Sequence, residues 1–198
     1  MRPSVALRMS STRASRGVTS DEFQRHPAAA GASELVRGAI RMMTPASGAH
    51  GVIAGTLFRV LSTFVEERQL GLCFPDNTGF LLPNLDDTVR SPDVAFVRAD
   101  RLPTGGIGRG WVPVAPDLVV EVLSPDETAA TLEEKLRDYR DAGTQLVWVV
   151  DPARRGVSIR RSGADERWVS EREDLDGEDA LVGFSMPVAR LFARLAPG

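Results

Sequence analysis

The chain has 198 residues, of which 42% are hydrophobic, 26% charged and 6% aromatic, an ordinary composition for one globular domain able to bury a sizeable core. With 24 basic and 27 acidic residues the net charge is −3, which excludes a general basic field and confines any nucleic-acid binding to a local patch. One cysteine, Cys73, and two histidines, His26 and His50, exclude a disulfide framework and a metal cage built on Cys or His, leaving metal chemistry to carboxylate oxygen and to Mg, Mn or Ca.

No uninterrupted apolar run approaches the roughly 18 residues needed to cross a bilayer. Residues 1–18 carry Arg2, Arg8, Arg13 and Arg16 among serines without an apolar segment, which reads as a disordered tail or an upstream start ahead of Met9 rather than a signal peptide. The expectation is a cytoplasmic protein with one domain over residues 19–198. Of the 24 basic residues only Lys135 is a lysine. In so arginine-biased a chain, a remaining lysine is a candidate for chemistry that arginine cannot supply.

Thr19-Ser20-Asp21-Glu22-Phe23 opens a short capped helix that ends by His26-Pro27. Glu34 to Met43 alternates as a hairpin turning at Arg37-Gly38. From about His50 to Arg68, Ile53, Leu57, Val60, Leu61, Phe64 and Val65 recur at helical spacing, and Gly71 reads as the cap. Short β segments follow at Leu72–Pro75, Gly79–Leu82 and Asp93–Val97. The loop Gly105–Gly110 lacks the lysine and following helix of a phosphate cradle. Asp117–Leu123 reads as a strand, Thr128–Ala142 as a helix ending at Gly143, and Gln145–Val150 as a buried strand stopped by Asp151-Pro152. Val157–Arg161 and Arg167–Glu171 form an antiparallel extension, and Met186–Leu195 a closing helix. The pattern is α/β, with one sheet and few helices.

In Leu118-Val119-Val120-Glu121-Val122-Leu123 a carboxylate interrupts an apolar strand. Burying that charge costs several kcal/mol unless it is paired or bound to a cation; a strand-end position or an arginine partner would explain it equally. Asp93 opens the strand after Ser91-Pro92, where ordinary turn chemistry is the competing account. Ser124-Pro125-Asp126-Glu127 has the form of a capping box. The helix beyond it carries Leu132, Lys135, Leu136, Tyr139 and Ala142 on one face, so Lys135 is either directed to the sheet or one more surface cation. Arg98, Arg101 and Arg109, and Arg154, Arg155, Arg160 and Arg161, form two basic patches, suited to phosphate contacts or simply to solubility. Trp111, Trp148 and Trp168 read as packing residues, and no aromatic series of the kind that stacks bases is present.

Pro92-Asp93, Glu121-Val122-Leu123-Ser124-Pro125, Lys135, Tyr139, Gly143 and Trp148-Val149-Val150-Asp151-Pro152 together resemble the Uma2 endonuclease family of the PD-(D/E)XK, or restriction-endonuclease-like, superfamily. Thr19 to Phe23, Glu34-Leu35-Val36-x-Gly38, Met43-x-Pro45 and His50 resemble the family's N-terminal half, so the likeness spans residues 19–195. It implies a mixed central sheet flanked by helices, an N-terminal helix and hairpin region, and a C-terminal antiparallel extension. It also implies Asp93 and Glu121 as metal-binding carboxylates, with Lys135 as the catalytic lysine. The superfamily's lysine position, two residues after the second acid, is Leu123 here, so Lys135 must reach the site from the following helix. Gly38-Ala39-Ile40 lacks the acid of the family's second strand; Glu34 is a candidate third carboxylate, and His50 and Tyr139 are further candidates.

Two carboxylates and a backbone carbonyl, that of Val122, suit Mg²⁺ or Mn²⁺ in oxygen geometry with positions left for water and phosphate. A nearby lysine orients or deprotonates the attacking water, or neutralises the leaving oxyanion. The expected function is metal-dependent hydrolysis of nucleic-acid phosphodiesters, DNA first, with no membrane partner and a homodimer as an open alternative. A catalytically silent nuclease-fold domain that binds nucleic acid or regulates, and an enzyme acting on another phosphoester, remain open.

Overall fold

The computed structural model describes residues 17–195 apart from Asp126. The expected tail lies outside the described residues as far as residue 16, and at its end Val18 N–H already donates to the Gly38 carbonyl at 2.8 Å. Helix α1 is Ser20–Arg25, closed by a capping box in which Thr19 and Glu22 exchange side-chain to backbone hydrogen bonds. Strands β1, Ser33–Val36, and β2, Ala39–Met42, form the hairpin. Its turn residues Arg37 and Gly38 both have positive φ, 48° and 78°, the geometry that a two-residue hairpin turn with the twist of its strands requires.

Helix α2, Gly48–Glu67, starts at the Ser47 cap, whose hydroxyl accepts the His50 N–H. By length and composition, with a mean hydropathy of 1.3, α2 could cross a bilayer; here Ile53, Ala54, Leu57, Leu61 and Val65 bury one face of it against the main sheet. Gly71 is not its cap. The helix ends at Arg68, Gln69 takes the left-handed conformation, and Gly71 begins β3, Gly71–Pro75. There a glycine is required because an added Cβ would overlap the Val97 carbonyl oxygen.

The remaining elements are β4, Phe80–Leu81; β5, Val89–Arg90; β6, Val94–Arg98; β7, Leu118–Val122; α3, Ala129–Ala142; β8, Leu146–Asp151; β9, Gly156–Arg161; β10, Arg167–Ser170; β11, Asp174–Asp176; β12, Ser185–Pro187; and α4, Ala189–Phe192. The expectation of one sheet is corrected to three. A six-stranded sheet runs β10-β9-β8-β7-β6-β3, the hairpin joins β5 and β4 in a four-stranded sheet, and β11 pairs with β12. The C-terminal helix is shorter than its periodicity suggests because Met186 enters β12. The cap of α3 also moves. Thr128 and Thr131 cap each other's backbone N–H groups, which frees Glu127 from the expected capping box; Asp126 lies outside the described residues.

In the six-stranded sheet only β7 and β8 run parallel, joined through α3, as a parallel pair requires a long crossover. Alternation then assigns the faces. Val94, Phe96, Leu118, Val120 and Val122 pack toward α2 and the C-terminal segment. Ala95, Val97, Val119, Val147 and Val149 pack with Leu136, Tyr139 and Ala142 of α3. The small sheet and α1 close over a third cluster of Phe23, Leu35 and Val89.

Gly71→Ala should lower the urea midpoint of unfolding, with a loss of more than about 1 kcal/mol in unfolding free energy, because the new methyl meets both a positive φ and the β6 backbone. An unchanged midpoint would mean that the β3–β6 edge gives way freely.

Candidate active site

Strands β6 and β7 bring the two sequence-predicted acids together. Val94 is opposite Val120 in the antiparallel register, so the preceding Asp93 stands opposite Glu121, on the α3 face. Opposed side chains of this kind have Cβ atoms about 5 Å apart. Both are buried, Asp93 at 9% and Glu121 at 2% exposure.

Each carboxylate oxygen of the pair is held. Asp93 Oδ1 lies 2.9 Å from His50 Nε2, and Oδ2 accepts the Val122 N–H at 2.6 Å. Glu121 Oε2 accepts from Lys135 Nζ at 2.9 Å and Oε1 from the Tyr139 hydroxyl at 2.7 Å. The chain's only lysine and its only tyrosine thus converge on one carboxylate, from positions one helical turn apart on α3. Glu127, just ahead of α3, gives Lys135 a second acid at 3.3 Å.

The electrostatics follow from burial. Desolvation lifts the Glu121 carboxyl from its ordinary 4.5 to about 7, with Lys135 opposing the rise and Asp93 and Glu34 adding to it. Burial disfavours the charge on Lys135, but Glu121, Glu34 and Glu127 more than offset that, and its pKa stands above the usual lysine value. The surrounding acids therefore favour the charged form of Lys135. The hydrogen bond to Asp93 raises His50 against its own desolvation.

The Val122 main chain also bears on the site. Leu123 N–H donates to Val150 of β8, so alternation turns the polar backbone groups of Val122 to the β6 side, where its N–H meets Asp93. The residue facing it in register is Pro92, which has no N–H to give the Val122 carbonyl.

Glu34 is not a member of this pair. Its Oε2 accepts from Arg90 Nη1 at 2.6 Å and its Oε1 from Ser91 N–H at 3.0 Å. The opposite edge of Arg90 holds Asp138 Oδ2 through Nε at 3.0 Å and Nη2 at 2.6 Å, while Arg37 holds Asp138 Oδ1 at 2.6 Å. Arg90 and Asp138 carry no sequence signal of burial: one lies beside a loop, the other among the charges of an amphipathic helix. Asp76, in the turn after β3, is another residue the pattern passes over. Partial desolvation and the Asp93 charge raise its carboxyl, and its own charge acts on His50. The basic patches are largely neutralised, with Arg98 on Asp100, Arg101 on Asp117, Arg155 on Glu171, and Arg160 on Glu133 and Glu166.

Residues 20–189 match the Uma2 family, described as "Putative restriction endonuclease". The chain belongs to the Uma2 family. Its fold is similar to that of a crystal structure from Anabaena variabilis described as a "putative nuclease", with a TM-score of 0.78 at 22% identity over 89% of this chain and 98% of that one. No curated protein matches the chain. In this Uma2 chain Lys135 reaches Glu121 from α3, the crossover helix, rather than from β7.

Among the described residues no three of His, Cys, Asp and Glu come together as a group that could hold a metal ion. An ion at this place would rest on Asp93, Glu121 and the Val122 carbonyl, completed by water and substrate phosphate. That donor set fits Mg²⁺, which is commonly held by one or two carboxylates and keeps several waters.

In the metal-free protein, ¹³C NMR should find Glu121 titrating near pH 7, and Lys135→Met should move it higher by removing the main opposing charge. Because folding raises this carboxyl above its ordinary 4.5, the stability linked to its proton is complete below about pH 4.5 and is lost as the pH rises to about 7. A Glu121 titration at the ordinary value would contradict the burial of the pair.

Proposed function

We propose that this chain is a metal-dependent endonuclease that hydrolyses phosphodiester bonds of nucleic acid, with DNA as its substrate and Mg²⁺, or Mn²⁺, as its cofactor. The observation that carries the proposal is the face-to-face placement of Asp93 and Glu121 across β6 and β7, with the Lys135 ammonium on Glu121. Membership of a family described as "Putative restriction endonuclease" supports the reaction class.

Asp93, Glu121 and the Val122 carbonyl would hold the ion, which when bound lowers the pKa of a water and offsets phosphate charge. Lys135, held in its charged form by the acids around it, neutralises oxygen charge as it develops on the phosphate. Tyr139 and His50 fix the orientations of Glu121 and Asp93 through single hydrogen bonds. A preorganised set of this kind costs little reorganisation during the reaction, which is where enzymes gain most electrostatic stabilisation.

One observation favours a second reading. All four oxygens of the acid pair already hold donors from the protein, a self-sufficient arrangement that would also suit a nuclease fold kept only for binding.

Cleavage assays on single- and double-stranded DNA and RNA, with Mg²⁺, with Mn²⁺ and with chelator, separate the two. Metal-dependent cleavage should fall at least about a hundredfold in Asp93→Ala and Glu121→Ala, equivalent to roughly 2.7 kcal/mol of lost transition-state stabilisation. Lys135→Arg should fall by about tenfold or more, because the bulkier fork has to fit where an ammonium is only 17% exposed. Each variant is checked for folding, since removing a charge from a crowded acid site can raise stability while abolishing function. Cleavage that survives chelator or the loss of either acid would overturn the mechanism, and a folded wild type that binds but never cleaves would establish the silent domain.

A further inference from the structure

We propose that Arg90, clamped between Glu34 and Asp138, is a positioning residue that sets Lys135 and Tyr139 of α3 against Glu121. Three side chains make the clamp, and all are inside the protein: Arg90 at 2% exposure, Glu34 at 3% and Asp138 at 0%. Its bonds leave no carboxylate oxygen unused. Asp138 takes two donors from Arg90 and one from Arg37, and Glu34 takes one from Arg90 and one from the Ser91 main chain. With Arg37 included, two cations balance two anions.

The two ends of the clamp fall beside the two halves of the site. Asp138 immediately precedes Tyr139 and follows Lys135 by three residues, so the clamp takes hold of α3 between the two groups that contact Glu121. Arg90 and Ser91 lead through Pro92 into Asp93. Nothing else among the described side chains ties these two segments by a buried charge-to-charge contact, although Arg41 and Glu134 add an exposed bidentate pair between the hairpin and α3.

Burial of such a set is a poor means of stabilising a fold, because apolar residues of similar volume usually do as well or better. What a guanidinium supplies is direction: a rigid planar fork fixes the angle and distance of both partners, whereas apolar packing allows α3 to slide. Glu34, read from the sequence as a third carboxylate of the site, acts in this account through Arg90 and Ser91 rather than by contact with the reacting groups.

The catalytic meaning of the clamp rests on the nuclease reading above, but its test does not, because Lys135 is the only lysine in the chain. Its ammonium gives a single side-chain signal in ¹H–¹⁵N spectra, and its reactivity toward an amine-acylating reagent can be read by peptide mass mapping. In Arg90→Gln and Asp138→Asn, which add no second lysine, the Lys135 signal should move toward that of a free lysine, and its acylation at pH 8 should speed up about tenfold, the order expected when one charge-assisted hydrogen bond is lost. Leu191→Ala, which opens the core on the opposite face of the sheet, serves as the destabilised control and should leave both readouts at their wild-type values. If Asp138→Asn does not fold, Arg37→Gln, at a half-exposed residue touching the same carboxylate, carries the test with a change of about twofold. Wild-type Lys135 signal and reactivity in the folded clamp variants would overturn the proposal, as would an equal change in Leu191→Ala. A wild-type protein without nuclease activity would overturn the nuclease reading and leave the clamp standing.

Discussion

Glu121 places a carboxylate on a sheet face otherwise lined by Ala95, Val97, Val119, Val147 and Val149, and the surroundings are arranged around the cost of that charge. An isolated carboxylate in such a place would simply hold its proton. Here Lys135 and Tyr139 bond to it, Asp93 stands opposite, and the balance leaves the carboxyl near neutrality at about 7. His50, whose pKa the bond to Asp93 raises, holds the opposed acid.

The same cost explains how the small sheet is attached. Its apolar cluster, Phe23, Leu35 and Val89, is modest, and much of its contact with α3 is ionic: Arg37 and Arg90 on Asp138, Arg41 on Glu134. Removing one partner from a buried pair of this kind is expensive, about 3–5 kcal/mol. The hairpin, the crossover helix and the loop leading to Asp93 are thereby held in one register. The hairpin that precedes the site by more than fifty residues in sequence becomes part of its support.

Much of the fold was legible because local patterns and tertiary demands agree. The capped α1, the Arg37-Gly38 hairpin, the amphipathic α2 and α3, and the apolar β7 and β8 all follow from spacing and turn chemistry. Misreadings fall where local signals compete. Gly71 has the residue type of a helix cap but answers a close backbone approach, and Ser124 to Glu127 has the sequence of a capping box while Thr128 and Thr131 supply the actual one. Strands as short as β5, β11 and β12 carry too few residues for a period to show.

By itself the sequence determined which residue types were anomalous: an acid inside an apolar strand, an acid at a strand entrance, a lone lysine on a helix. Composition and periodicity suffice for that, since burial of a charge is costly wherever it occurs. Only the tertiary structure decided their company. The antiparallel register of β6 and β7 put Asp93 opposite Glu121, the crossover laid Lys135 and Tyr139 over it, and Arg90 drew Glu34 away toward Asp138. Partner choice between charges far apart in the chain depends on distances and directions that no local pattern encodes, because Coulombic and hydrogen-bond energies are set by geometry in three dimensions.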